Sequence, residues 1–274
     1  MAKKTLAEQA DRHICYQMSV QSAEFEVEFF EERYRDLRKK EPTVLREDFC
    51  GTALVIAEWL KDHPERRAIG VDIDQPTLDW GIEHNLQPAG VMDRTKLLTE
   101  DVLTVETEKV DITCAMNFSY CCFKSRDLLR SYFENVRRNM NDDGLFFLDL
   151  LGGTETMDVA EDEREIEDVN FTYIWEQEYF NPVNHDMRCK IHFEFEDGSR
   201  IDDAFVYEWR LWTLPELREI LLEAGFSNVR VFWEGFEENE DDPDDDYLEG
   251  TGVYEEVTEV EQQEAWLAYI VAEA

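Results

Sequence analysis

Glu47, Asp48, Gly51 and Asp72 stand at a spacing suited to holding a nucleoside. Residues 44–45 read as a short buried strand, and the two carboxylates sit where it emerges at its C-terminal end. Gly51 lets the backbone turn tightly and approach a ligand, because it has no Cβ to block either. From Thr52 onward, Leu54, Val55, Trp59 and Leu60 recur at helical spacing. The amides that open such a helix lack intrahelical partners and suit an anionic group. A second strand over residues 68–73 carries Asp72, twenty-five positions after Glu47. That separation places an acid on ribose hydroxyls in a βαβ unit. Further on, Asp101 follows a third strand, Asn117 a fourth (110–116), and Asp149 stands near the exit of a fifth (145–150). Ligands bind outside the carboxyl ends of parallel strands, so Asn117 and its neighbours should border the bound molecules.

Glu47, Cys50, Gly51 and Thr52, followed by Gly70-Val71-Asp72-Ile73-Asp74, resemble the first two motifs of the class I S-adenosylmethionine-dependent methyltransferases. In that family the first motif has three glycines. This chain has Phe49 and Ala53 in place of the first and last, from which a slightly different turn is expected around the methionine end of the donor. The missing glycines weigh against a dinucleotide site, whose pyrophosphate needs close backbone approach. The resemblance implies a seven-stranded Rossmann-like α/β sheet with helices on both faces. It also implies S-adenosylmethionine as cofactor, held by Glu47, Phe49, Cys50, Gly51, Asp72, Ile73 and Asn117, with Asp101 and Val102 meeting the adenine. Asn117-Phe118-Ser119-Tyr120 is similar in position to the Asn-Pro-Pro-Tyr motif of amino-group methyltransferases, without its prolines.

The elements that position these residues follow in order. Residues 5–40 read as helical and, by the resemblance, form an N-terminal cap (residues 1–42) that brings His13, Tyr16 and Gln17 towards the pocket. The methyltransferase domain would occupy 43–274. Asp74 is placed to cap the next helix, and Asn141 to Gly144 reads as a turn. Between residues 170 and 211 the apolar period switches to two, which marks an antiparallel β insertion after strand five, about 154–211, as a lid or an oligomer contact. Within it, His185 and His192 read as surface residues. Thr213 to Glu216 forms a capping box. Residues 229–233 and 265–271 supply the last two strands, the final one antiparallel, and the acidic stretch at about 234–264 reads as a solvated loop.

The formal net charge is −38, with nine lysines against eighteen arginines, which argues against contact with nucleic acid or an anionic membrane. The spread of the acids fits either adaptation to high salt or a plain acidic surface. The six cysteines show no metal-binding spacing and no disulfide pattern, so no metal is expected. No apolar run reaches spanning length and no signal-type core is present, so a cytoplasmic location is expected. The expected activity is in-line methyl transfer to a small-molecule acceptor, by a monomer or homodimer. Tyr120, His13 and Asp149 are candidates for any general base. The alternative is a non-catalytic protein that binds S-adenosylmethionine or a nucleotide.

Overall fold

The computed structural model describes residues 4–166, 169–238 and 248–274. The acidic run from Asp241 to Asp246 lies outside them. The chain opens with two helices, α1 (Arg12–Ser19) and α2 (Ala23–Arg38), broken at residues 20–22 where a single helical stretch was expected. Strand β1 (Val44–Asp48) leads through a turn into α3 (Leu54–Leu60), then β2 (Arg67–Asp72). Helix α4 (Gln75–Gly81) continues through a π-helical turn, Ile82–Leu86, into the short α5 (Gln87–Ala89). Next come β3 (Thr95–Thr99), β4 (Val110–Ala115), α6 (Arg126–Arg138) and β5 (Met140–Gly152). Four strands follow, β6 (Ala160–Ile166), β7 (Phe171–Phe180), β8 (Asp186–Phe195) and β9 (Arg200–Arg210). The chain ends with α7 (Leu214–Glu223), β10 (Asn228–Glu238), β11 (Leu248–Val257) and β12 (Trp266–Glu273).

Among the described residues the main sheet has eight strands in the order β11-β10-β12-β5-β4-β1-β2-β3. The five from β3 to β5 are parallel, and β12 runs antiparallel between β5 and β10. β1 and β4 lie mid-sheet and are buried along their whole length, as strands covered on both faces must be. The expected count of seven is exceeded by β11, which lies in the stretch expected as a loop. It pairs with β10, and its Tyr254 packs against Phe25, Phe29 and Tyr269. The expected turn at Asn141–Gly144 lies within β5, beside a register shift between Val110 and Ile112.

Helices cover both faces. α2 and α3 lie over one, where Phe29, Phe30, Tyr34, Val55 and Trp59 join the core. α6 and α7 lie over the other, with Tyr132, Phe133, Leu217 and Leu221. The inserted strands form a separate antiparallel sheet, β6-β7-β8-β9. The N-terminal segment is divided between these bodies. Cys15 and Tyr16 of α1 pack with Phe171, Ile191 and Phe193 of the inserted sheet, whereas α2 packs on the main sheet. α1 and β9 together therefore roof the C-terminal ends of β1, β2 and β4. No described helix is long and apolar enough to cross a membrane.

Candidate active site

The turn from β1 to α3 builds the floor of the site. Phe49, Gly51 and Ala53 all have left-handed backbone, with φ of 57°, 50° and 54°. The three positions where the motif has glycine thus keep backbone in the region glycine favours. For Phe49 and Ala53 this geometry costs on the order of 1–2 kcal/mol each. Packing offsets it, since the Phe49 ring lies against Phe123 and Tyr132 at 5.9 and 5.7 Å and Ala53 is fully buried. Asp72 pins the same turn from β2, its carboxylate accepting from the Gly51 amide at 2.8 Å and the Asp74 amide at 2.9 Å. Gly70 permits the close approach, because a Cβ there would fall 2.8 Å from the Cys50 sulfur and from Ile56. Asp74 occupies the N-cap position of α4, but its carboxylate accepts from the Thr77 hydroxyl rather than from a backbone amide.

A cavity of about 430 Å³ opens over this turn. Its wall brings together Glu47, Phe49, Cys50, Gly51, Asp72, Ile73 and Asn117, along with His13. Sequence reasoning did not single out Arg12 of α1, Gln21, or Phe205, Tyr207 and Trp209 of β9, which complete it. Phe205, Tyr207 and Trp209 were visible only as an alternating pattern, and nothing local told which sheet face they would serve. Ile73 is 75% exposed at the mouth, an unusual setting for a large apolar side chain. Asp101 and Val102 are not in this wall. Asp101 accepts from the Leu103 amide, and Val102 is buried in the core.

The three candidate bases fare differently. Tyr120 is fully buried and donates to the Asp149 carbonyl at 2.6 Å, away from either cavity. Asp149 is buried too, and its carboxylate accepts from the amides of Asn117 and Phe118 at 2.7 and 2.9 Å. Both of those residues have φ of 56°, so Asp149 holds a left-handed pair in place at the end of β4. Burial pushes its carboxyl up to about 7 against the pull of those amides. His13 does reach the cavity, between Trp80 and Phe205, where burial and Arg12 lower its pKa. His192, expected at the surface, is buried. It lies 3.0 Å from Glu176 and its Nδ1 accepts from the Asp203 amide. Glu176, His192 and Asp203 could together hold a metal ion, but Lys190 already lies 3.7 and 3.5 Å from the two carboxylates.

A second cavity, about 760 Å³, lies between β5, the inserted sheet and β12. Trp175, Trp266, Tyr173 and Phe118 line it, with Glu155, Asp162 and Glu234 as acids and Arg164 as the one cation. Tyr16, Asn117, Tyr207 and Trp209 border both cavities and stand between them. Burial raises the phenols of Tyr16 and Tyr207 far above their ordinary value, so both stay neutral hydrogen-bonding groups.

No protein-family model and no curated protein matches this sequence. Solved structures do. An S-adenosylmethionine-dependent methyltransferase from Clostridium acetobutylicum superposes with a TM-score of 0.67 at 16% identity, covering 95% of this chain and 96% of that one. CalS10, an amino pentose methyltransferase from Micromonospora echinaspora, gives 0.67 at 12% identity over the whole of both chains. DesVI from Streptomyces venezuelae gives 0.67 at 13%, covering 98% and 99%. With the strand order, the antiparallel β12 and the acid-bearing turn after β1, these likenesses establish that the chain has the class I S-adenosylmethionine-dependent methyltransferase fold.

Proposed function

We propose that the protein transfers a methyl group from S-adenosylmethionine to a small-molecule acceptor. The observation that carries this reading is the pair of adjacent cavities that share Tyr16, Asn117, Tyr207 and Trp209 as a common wall. The smaller cavity lies over the β1–α3 turn, where Asp72 can accept from ribose hydroxyls with lone pairs left over from its two amides. Asp72 and Asp74 against Arg12 give that wall an acidic balance suited to a cationic donor, Asp48 being paired with Arg46. The larger cavity takes the acceptor. Its aromatic walls suit a partly apolar molecule, and its acids favour one bearing a positive charge, in keeping with a neighbour that acts on an amino pentose.

Methyl transfer from a sulfonium asks little covalent work of the protein. The gain comes from holding nucleophile, methyl and sulfur in line and away from water, a task for the four side chains the cavities share. An acceptor amine must arrive or become unprotonated, and of Tyr120, His13 and Asp149 it is His13, its pKa lowered by burial, that stands in a cavity wall. Calorimetric titration with S-adenosylmethionine and S-adenosylhomocysteine tests the donor site, followed by detection of S-adenosylhomocysteine formed over a panel of amines and hydroxylated small molecules. Asp72→Asn should weaken both ligands about tenfold or more. Binding without turnover across the panel would favour the non-catalytic alternative, and no binding by folded protein would refute the donor site.

A further inference from the structure

Of the three acids in the wall of the larger cavity, one is held in place. Glu234 of β10 is half-buried, and its carboxylate accepts from the Gly252 amide at 3.0 Å and from the Tyr254 hydroxyl at 3.1 Å. Glu155 and Asp162 are exposed, and their side chains accept no hydrogen bond among the described residues. Both groups that hold Glu234 come from β11, the strand in excess of the expected seven. The β10–β11 register shifts between Glu234 and Phe236, and within that irregularity Gly252 takes a left-handed φ of 69°. A bulge of this kind re-aims backbone and side chains at the rim of a sheet. Tyr254 is anchored in turn by Phe25, Phe29 and Tyr269, and burial beside Glu234 raises its phenol, which therefore stays a donor.

Among the described residues no cation pairs with Glu234, whose two oxygens go to β11 alone. The cation of that wall, Arg164, is engaged elsewhere, by the Ser19 carbonyl and by the Tyr173 ring 5.5 Å away. A carboxylate has about four acceptor positions, so Glu234 keeps some free for a ligand. Beside it in the wall stands Trp266, itself stacked on Trp233 at 4.7 Å. A carboxylate next to an aromatic ring suits an ammonium group, which gains from both. Glu234 lines the larger cavity and not the smaller one.

We propose that Glu234, set by β11, anchors a positively charged nitrogen of the acceptor, and that this nitrogen is not the atom that receives the methyl. This rests on the function proposed above. A nitrogen held as ammonium has no lone pair to attack with, and the attacking atom must reach the wall that the two cavities share. The acceptor is then a molecule with two functional groups, a diamine or an amino alcohol. Its neutral nitrogen or oxygen gives a lone pair to the methyl carbon, the carbon–sulfur bond breaks with its electron pair going to sulfur, and the attacking atom loses a proton to solvent. The ammonium on Glu234 keeps its proton throughout.

The test is calorimetry on the full chain at neutral pH, with S-adenosylhomocysteine saturating the donor cavity and about 0.15 M potassium chloride to screen the overall charge. The probes are phenethylammonium and phenethyl alcohol, matched in ring and chain length. The cation should bind about tenfold or more tightly than the alcohol. Glu234→Gln should remove that preference while leaving the alcohol within about twofold. Glu163→Gln removes one charge from an exposed position on β6 outside both walls, and should leave the preference within about twofold. If Glu234→Gln fails to fold, Tyr254→Phe takes away one of the two holding bonds and should lower the preference about threefold. No saturable binding of the cation, equal affinity for the two probes, a preference unchanged in folded Glu234→Gln or Tyr254→Phe, or an equal loss in Glu163→Gln would overturn the subsite while leaving the donor site standing. With S-adenosylmethionine in place of the product, a methyl group found by mass spectrometry on the nitrogen of phenethylammonium would overturn the separation of charge from nucleophile. Failure of folded wild-type protein to bind S-adenosylhomocysteine would overturn both readings.

Discussion

Burial sets the ionisation of Glu26 and Asp149, and through it the pH range in which the unliganded chain is most stable. Both folded pKa values lie above the ordinary ones, at about 8 and about 7. The stability tied to the uncharged carboxyls is therefore full in acid, erodes as the unfolded groups ionise near pH 4, and is lost as pH rises through 7 and 8. We expect the melting temperature to fall between pH 6 and pH 9, and Glu26→Gln to flatten that slope. A profile unchanged by the substitution would show that Glu26 is already ionised in the folded state. Phe49→Gly would restore the residue of the family motif, yet it should lower stability by about 1–2 kcal/mol in urea unfolding, because the ring's packing on Phe123 and Tyr132 outweighs the strain relieved. At this scale the sequence was legible where a residue's neighbours along the chain decide its role. Glu47, Gly51 and Asp72, singled out from their spacing and the motif they resemble, lie together in one cavity wall. Glu26 was not singled out, since it stands among Glu24, Glu28, Glu31 and Glu32 and only its place on the buried face sets it apart. Asp149 was misjudged because an acid at a strand end looks the same whether it faces a ligand or two backbone amides.

Among the elements, α1 decides how closed the donor cavity is. Two hydrogen bonds tie it and its N-cap to the turn and to α4, from Gln17 to the Thr52 hydroxyl and from Trp80 to Asp11, each 2.8 Å. Gln17→Ala should cost about 1 kcal/mol of stability and raise the Kd for S-adenosylhomocysteine roughly fivefold, as measured by calorimetry. Unchanged affinity would mean that the inserted sheet alone positions α1. The βαβ units and the capping box at Thr213 were readable because each rests on local chemistry. β6 and β11 were not readable as strands. Every residue of β6 but the last is exposed, and its pairing with β7 comes from backbone hydrogen bonds that no hydrophobic pattern announces. β11 offers Tyr254 and Val257 to opposite faces, too sparse a signal within an acidic stretch.

For the whole molecule, charge is the dominant feature. A formal net charge of −38 on 274 residues repels itself at low ionic strength, and salt screens that repulsion. Between 0.1 M and 2 M potassium chloride the melting temperature should rise on the order of 5 °C or more, and a flat response would mean that local ion pairs already balance the surface. The fold class was legible through the motif residues of the first third and the family they resemble, but the wall shared by the two cavities depends on β9 and α1 meeting, far apart in sequence. The added strand β11 has a consequence of its own. It ends the sheet with one side free of any partner among the described residues, the setting in which chains add to one another edge to edge. Glu255, exposed on that strand, and the acidic chain around it make such addition repulsive at neutral pH. The same carboxylates that crowd the surface thus guard against polymerisation, and acid strong enough to discharge them would turn this border of the sheet into a template for fibres.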